Sequence, residues 1–479
     1  DKLDFSEERK VIHSSLPECD NITISETDVC TVFGGLNPHK ASGPDNIPGI
    51  VLKECQNQLC GIFRKLYQMS IDLHYVPLLW KSSSIVPVPK KQKPLVNNDY
   101  RPVALTSIVM KCFERVLKRY LLTEVSHKLD PFQFAYQARR GVDDATITLL
   151  NNIYKHLENA DSYVRLLFVD FSSAFNTIQP HLLMKKLMEL EVNSHLIKWL
   201  ECFLVKRQQV VTVNGKQSSP LIVSTGAPQG CVLSPLLFIL YTNDCACFSN
   251  NCLNVKFADD VALAALLQNS ELLYRESIKK FTEWCKENYL VLNVQKTKEM
   301  VIDFRKKKTQ LLPVKIEDQD IEIVKEYKYL GTIIDDRLTW SSNTDFLYKK
   351  GQQRLFFLRR LRQIHVDSKI LYMFYKTCIQ SVLTFNFLCW FKNLSVKNKN
   401  KIVKIVNIAN KITGIQSNLE LFYEDQVKSK VEKLLSDNSH VLHSEFQFLP
   451  SGQRLSVIKT KSNRYRNSFV PSSVDRKST

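Results

Sequence analysis

No Cys-x-x-Cys pair occurs in this chain, although it holds 13 cysteines among 479 residues. Structural zinc sites are usually built on such pairs, so a zinc-ribbon or finger class is not expected. The nearest cluster, Cys245, Cys247 and Cys252, has no histidine close by. The cysteines are therefore read as reduced thiols of a non-oxidising compartment. Nor does any run approach the roughly 20 apolar residues that a membrane span needs, so no membrane partner is expected. The N-terminus lacks a charged-then-apolar signal segment. It begins at Asp1 rather than Met, which leads us to expect a missing upstream part. No repeat with a period of 20 to 50 residues is visible. A hydrophobic share of 44% with 10% aromatics argues against disorder, and the length suggests two or three domains.

Acid is scarce at one end. From Lys349 to Thr479 there are 24 Lys+Arg against 8 Asp+Glu, whereas the rest of the chain is nearly balanced at 42 against 40. Of the net charge of +18, +16 thus belongs to the last third. A surface of that kind meets polyanions, of which nucleic acid is the commonest.

Along the chain, residues 1–27 are polar and mixed and read as an extension. A helix is expected from an N-cap at Asp28 to Leu36, and a second pattern, with Pro48 near its start, runs through Leu73. Residues 84–90, SIVPVPK, alternate like a proline-bearing edge strand. Arg101 precedes a short strand, and a helix of roughly 15 residues follows with apolar positions at 109, 113, 116, 117 and 120. Asp143 and Asp144 open a further helix, where the helix dipole alone accounts for two acids. Residues 208–223 form a hairpin turning at VNGK. A helix over about 270–288, a strand carrying Lys296 and Lys298, a solvated turn at RKKK (305–308), and a strand and turn at YKYLGTIID (327–335) come next. From about Ser342 to Gly414 the chain reads as helical.

Three stretches carry chemistry. In VRLLFVDFSSAFNTI (164–178), a buried strand ends in Asp170, a common place for an active-site acid. In STGAPQGCVLSP, Gly226, Pro228 and Gly230 surround Gln229 ahead of a helix near Ser234, and glycines there let the backbone approach a flat ligand. In LNVKFADDVALAAL (253–266), Asp259 and Asp260 sit between two apolar runs at a hairpin bend. Taken alone, that pair is either an exposed acidic turn or a ligand set for a hard divalent cation. Three acids on two neighbouring strands can hold two magnesium ions for phosphoryl transfer.

FVDFSSAF, GAPQGCVLSP, KFADD, LNVQKTK and YKYLGTIID resemble the successive palm motifs of reverse transcriptases, specifically those of non-LTR (LINE-type) retrotransposons. KASGPDNIP and DYRPVALTS resemble that class's N-terminal and fingers motifs, so the likeness spans about residues 38–340 in order. It implies an α+β right-hand polymerase. The parts would be an N-terminal extension (1–37), fingers (38–160), a palm with an antiparallel sheet (161–340), a helical thumb (341–415) and a basic C-terminal tail (416–479). The implied activity is RNA-directed DNA polymerase, a nucleotidyltransferase copying retrotransposon RNA.

By matching position, Asp170, Asp259 and Asp260 are the implied metal triad, with the Phe171 carbonyl as a further ligand of two Mg2+ ions, for which Mn2+ can substitute. Lys296 is implied as the pyrophosphate's proton donor, with Lys298 close by. Lys90 and Arg101 are implied to grip the triphosphate, Phe175 to exclude a ribose 2′-hydroxyl, and Gln229 to lie against the incoming nucleotide. Tyr329, Leu330 and Gly331 match the primer grip. The implied partners are an RNA template, a DNA primer, their RNA–DNA hybrid and dNTPs, in the nucleus and cytoplasm of the cell. An RNA-dependent RNA polymerase has a similar acid arrangement, but Phe175 disfavours it. Phe257 stands where many relatives carry Tyr. Neither the family's upstream endonuclease nor a CCHC knuckle is found in these residues, so integration is not assigned to them.

Overall fold

Seven consecutive buried residues, Tyr163–Val169, form the central strand of a five-stranded sheet. Burial on both faces explains why, Arg165 apart, they read as an apolar run rather than an alternation. Strand Asp260–Leu267 lies antiparallel on one side, with Val169 opposite Val261, and strand Lys298–Asp303 lies antiparallel on the other, with Phe168 opposite Lys298. Cys252–Phe257 extends the sheet by a hairpin with Asp260–Leu267, and Glu322–Ile323 closes the far edge in parallel. This computed structural model describes residues 19–477, apart from 247, 248, 250, 269 and 308–310. Cys247, Lys308 and the first 18 residues of the expected extension therefore lie outside the described residues.

The chain divides into two units, and that sheet belongs to the one drawn from Pro131–Phe171, Ala246–Glu283 and the chain from Leu292 on. Its core continues from the sheet through helix Val142–His156 into helices Ser341–Gln363, Val396–Thr413 and Leu419–Leu435. Arg165, fully buried in the central strand, is held bidentately by Glu299, at 2.7 and 2.8 Å, and by Glu271 at 2.7 Å. The Tyr274 hydroxyl adds a 2.7 Å bond to Glu299. Breaking one side of a buried ion pair leaves an uncompensated charge. Glu299→Ala is therefore expected to cost about 3–5 kcal/mol in a denaturant titration, and a loss below about 1 kcal/mol would show that Glu271 alone satisfies Arg165.

The other unit is drawn from the chain up to Asp130, from Ser172–Cys245 and from Trp284–Val291. Strand Ser83–Pro89 pairs antiparallel with Tyr100–Thr106 and parallel with Arg207–Val213, so it is a central strand and not the edge strand expected from its prolines. The parallel pairing covers only Ser83 to Ile85. Pro87 and Pro89 fall beyond it, where no second ladder needs their missing N–H. The hairpin expected over 208–223 is present, with Arg207–Val213 paired to Lys216–Gln217 and to Leu221–Val223.

Other expectations shift for local reasons. The first helix runs Glu26–Gly34 and is capped by Ser25, with Asp28 at its third position closing a capping box rather than serving as N-cap. Lys296 sits in the turn before its strand, which starts at Lys298. Cys30 and Cys60 are joined as a disulfide between helices Glu26–Gly34 and Gln56–Asp72, against the expectation of reduced thiols throughout. Asp144 also does more than favour a helix dipole. It is buried, accepts from the Gly141 amide, and pairs with Lys430 at 2.5 Å and His440 at 3.0 Å. Among the described residues, no helix is long and apolar enough to cross a membrane.

Candidate active site

Asp170 follows directly on the buried central strand, so its backbone is positioned by the sheet. Its carbonyl accepts from Asn293 at 2.8 Å, and its own N–H donates to the Thr297 hydroxyl at 3.3 Å. Phe171 then bridges to Leu292. These bonds tie the turn holding Lys296 to the acid, and Lys296 Nζ stands 3.6 Å from Asp170 Oδ2. Lys298 is engaged elsewhere, with Glu322 at 2.7 Å and the Gln295 carbonyl at 2.7 Å.

The acidic pair sits at the end of a tight hairpin in which Phe257 faces Asp260, leaving Ala258 and Asp259 as the bend. Ala258 has a φ of 56°, in the left-handed region. Its N–H is held by Gln133 Oε1 at 3.0 Å, the same oxygen that accepts from Ala135 at 3.0 Å. Gln133 is buried, and it was not anticipated from the sequence because its partner lies 125 residues away.

Charge at this bend is costly. Asp259 and Asp260 both reach solvent, yet the surrounding protein displaces enough water to push both carboxyls up, Asp260 to about 6. Burial is the largest cause for each; Asp259 and then Asp170 add like-charge repulsion at Asp260, and Asp170 does so at Asp259. Asp170 Oδ2 is buried and makes no hydrogen bond. A carboxylate oxygen without a hydrogen bond and mutually repelling acids fit a divalent cation, which accepts hard oxygen ligands and cancels the repulsion. Among the described residues, no three His, Cys, Asp or Glu side chains are grouped closely enough to form a metal site as they stand.

The hairpin Glu326–Tyr329 with Thr332–Asp335 lies against the same strand, for Phe168 stacks on Tyr327 with ring centres 4.0 Å apart. Tyr329 is buried with its hydroxyl unpartnered, and Leu330 and Gly331 form the turn at φ 43° and 88°.

In the other unit, backbone contacts gather Arg101, Gln229 and Phe175. Arg101 faces Val88 in the strand pair, and Lys90 lies just past that pairing, its N–H donating to Asp99 at 2.7 Å. Three residues after Arg101, the Ala104 N–H donates to the Gln229 carbonyl at 2.9 Å. Phe175, in a short turn after Ser173, accepts from the Ala227 N–H at 2.8 Å and sets its ring 4.8 Å from that of Phe238. The glycines are required by these approaches. A Cβ on Gly226 would stand 2.7 Å from the Asn176 carbonyl oxygen and one on Gly230 2.6 Å from that of Ala104, and both have positive φ.

One unit thus presents acids and a lysine suited to metal-assisted phosphoryl transfer, and the other a glycine-lined turn bonded to the strand that carries Arg101. The family model for reverse transcriptase (RNA-dependent DNA polymerase) matches residues 88–334, and the chain belongs to that family. The α+β expectation and the resemblance seen in the ordered motifs are both met. Members of the family use divalent metal ions. The probable RNA-directed DNA polymerase from transposon BS of Drosophila melanogaster is 26% identical over 80% of this chain and 44% of its own length. The RNA-directed DNA polymerase from mobile element jockey of the same species is 27% identical over 67% of this chain and 36% of its own. The chain therefore spans less than half the length of these curated relatives. A model for the N-terminal part of alkylated DNA repair protein alkB homolog 8 matches only residues 340–381. Among solved structures, apo telomerase from Candida tropicalis, truncated from its C-terminal domain, aligns at a TM-score of 0.38 and 10% identity over 60% of this chain and 59% of its own.

Proposed function

We propose that this chain is the polymerase portion of a retrotransposon protein, copying RNA into DNA from a primer by two-metal nucleotidyl transfer. The observation that carries the reading is that Asp170 follows the central strand while Asp259 and Asp260 stand at the head of the strand paired with it, with Lys296 beside Asp170. These acids, with the Phe171 carbonyl, would hold Mg2+. Bound there, such ions would supply Lewis-acid activation of the attacking hydroxyl and charge neutralisation at the departing pyrophosphate.

The protein's own groups do the rest. Lys296 Nζ holds a proton where the leaving group departs. Arg101 and Lys90 bind the triphosphate through charge-assisted bonds, and Gln229 lies against the incoming base. The Phe175 ring occupies the space of a 2′-hydroxyl. Tyr329, Leu330 and Gly331 hold the primer end. In this reading the fingers cover 38–160, the palm 161–340 and the thumb 341–415, after an extension over 1–37. The basic tail over 416–479, together with the thumb, grips the phosphates of an RNA template and its RNA–DNA hybrid, a contact read largely by shape. The place of action is inside the cell, in nucleus and cytoplasm.

The test is extension of oligo(dT) on poly(rA), with dTTP compared with UTP. Product should form from dTTP, vanish on chelation of divalent ions and return when Mg2+ is restored, with Mn2+ as the weaker substitute. Product that persists in excess chelator would remove the two-metal reading.

A further inference from the structure

Glu114 is fully buried in helix Ile108–Val125, and neither the metal site nor the nucleotide contacts above use it. Its Oε2 accepts from the amides of Val232 at 2.7 Å and Leu233 at 2.9 Å. Those two amides close the turn that carries Gln229 and lead into helix Ser234–Tyr241. At the turn's other end, the buried Arg207 donates to the Thr225 carbonyl. Between the two, the turn is sewn to its surroundings by Ala227 on Phe175 and by Gln229 on Ala104.

A buried acid is expensive, and a helix start can be capped by a serine at far lower cost. Leu233, the residue before this helix, has no capping side chain. Glu114 takes over from 118 residues away in sequence, so the turn's closure is set by a separate helix rather than by the turn itself. We propose that Glu114 is a positioning residue for nucleotide selection, its carboxyl group holding the Val232–Leu233 end of the turn so that Gln229 meets the incoming dNTP in one fixed orientation. This rests on the polymerase reading above.

The state of the acid supports the role. Burial pushes its carboxyl up to about 7, against the pull of the two amides and of neighbouring Lys111 and Cys231. Its second oxygen, Oε1, is buried without a hydrogen bond, so a proton there leaves Oε2 free to accept both amides. Glutamine reproduces that neutral arrangement, with its carbonyl oxygen in place of Oε2. Alanine removes the acceptor, and aspartate withdraws it by one methylene.

The experiment measures dTTP kinetics on poly(rA)/oligo(dT) together with amide hydrogen exchange at Val232 and Leu233. Glu114→Ala should raise the KM for dTTP roughly 10-fold with kcat changed less than about 3-fold, and should speed exchange at both amides. Glu114→Asp should do the same where the alanine variant folds poorly, and Glu114→Gln should restore both KM and protection. An alanine variant with wild-type KM and exchange, or a glutamine variant as impaired as alanine, overturns the proposal. If the wild-type chain makes no product at all, the polymerase reading fails. Exchange then decides the positioning role separately: faster exchange in the alanine variant with protection kept in the glutamine variant upholds Glu114's hold on the turn, and unchanged exchange refutes it.

Discussion

Asp259→Asn is expected to lower primer extension by roughly 10³-fold, about 4 kcal/mol of transition-state stabilisation, while leaving RNA binding and folding intact. The side chain keeps its size and an acceptor oxygen but loses the charge that a divalent cation requires. The hairpin itself does not depend on that charge, because the bend is held by the Ala258 N–H on Gln133 and by the Phe257–Asp260 pair. Asp259 is moreover the largest like-charge contributor to the raised carboxyl of Asp260. Neutralising it relieves repulsion, so the thermal midpoint should stay level or rise. The measurement is single-turnover extension beside a filter-binding titration with RNA and a melting curve. Normal extension would show that Asp259 does not belong to the metal site. Loss of extension together with loss of binding and a lowered midpoint would mean that the substitution had damaged the fold instead.

The second large effect is expected at Phe175. Replacing its ring with alanine should cut discrimination between dTTP and UTP by roughly 10²-fold, because a filled space that rejects a hydroxyl becomes an open one. The local backbone should survive, since the bond from Ala227 goes to the Phe175 carbonyl and not to its side chain. The half-buried ring does lose its contact with Phe238, so a stability cost of about 1–2 kcal/mol accompanies the change. Phe175→Tyr keeps the ring and should keep the discrimination. A competition assay with both triphosphates present reads the ratio directly, and an alanine variant that still excludes UTP would take the gate role away from Phe175.

The strand end and the bend that carry the acids were legible because their signals are local. Asp170 ends a run of seven buried residues, and Asp259 with Asp260 interrupts two apolar runs, so strand, bend and carboxylates can be read within a dozen residues. The same holds for the hairpin over Arg207–Val223. Errors arose where a neighbour distant in sequence decided the outcome. Strand Ser83–Pro89 looked like an edge until Arg207–Val213 paired with its proline-free half. Asp144 looked like a dipole partner until Lys430 and His440 met it from nearly 300 residues away.

What the sequence by itself determined is the class of protein, through its ordered motifs, and the local placement of the three acids, the glycine turn around Gln229 and the basic last third. These depend on residue type and local pattern, which a chain carries whether or not it is folded. What only the tertiary structure decided is how those groups are held: Gln133 on the bend, Glu114 and Arg207 on the two ends of the turn, and Phe168 stacked on Tyr327. A hydrogen bond across 118 or 125 residues leaves no periodicity to read. A lone buried Glu or Gln becomes meaningful only once the amide it satisfies has been brought to it.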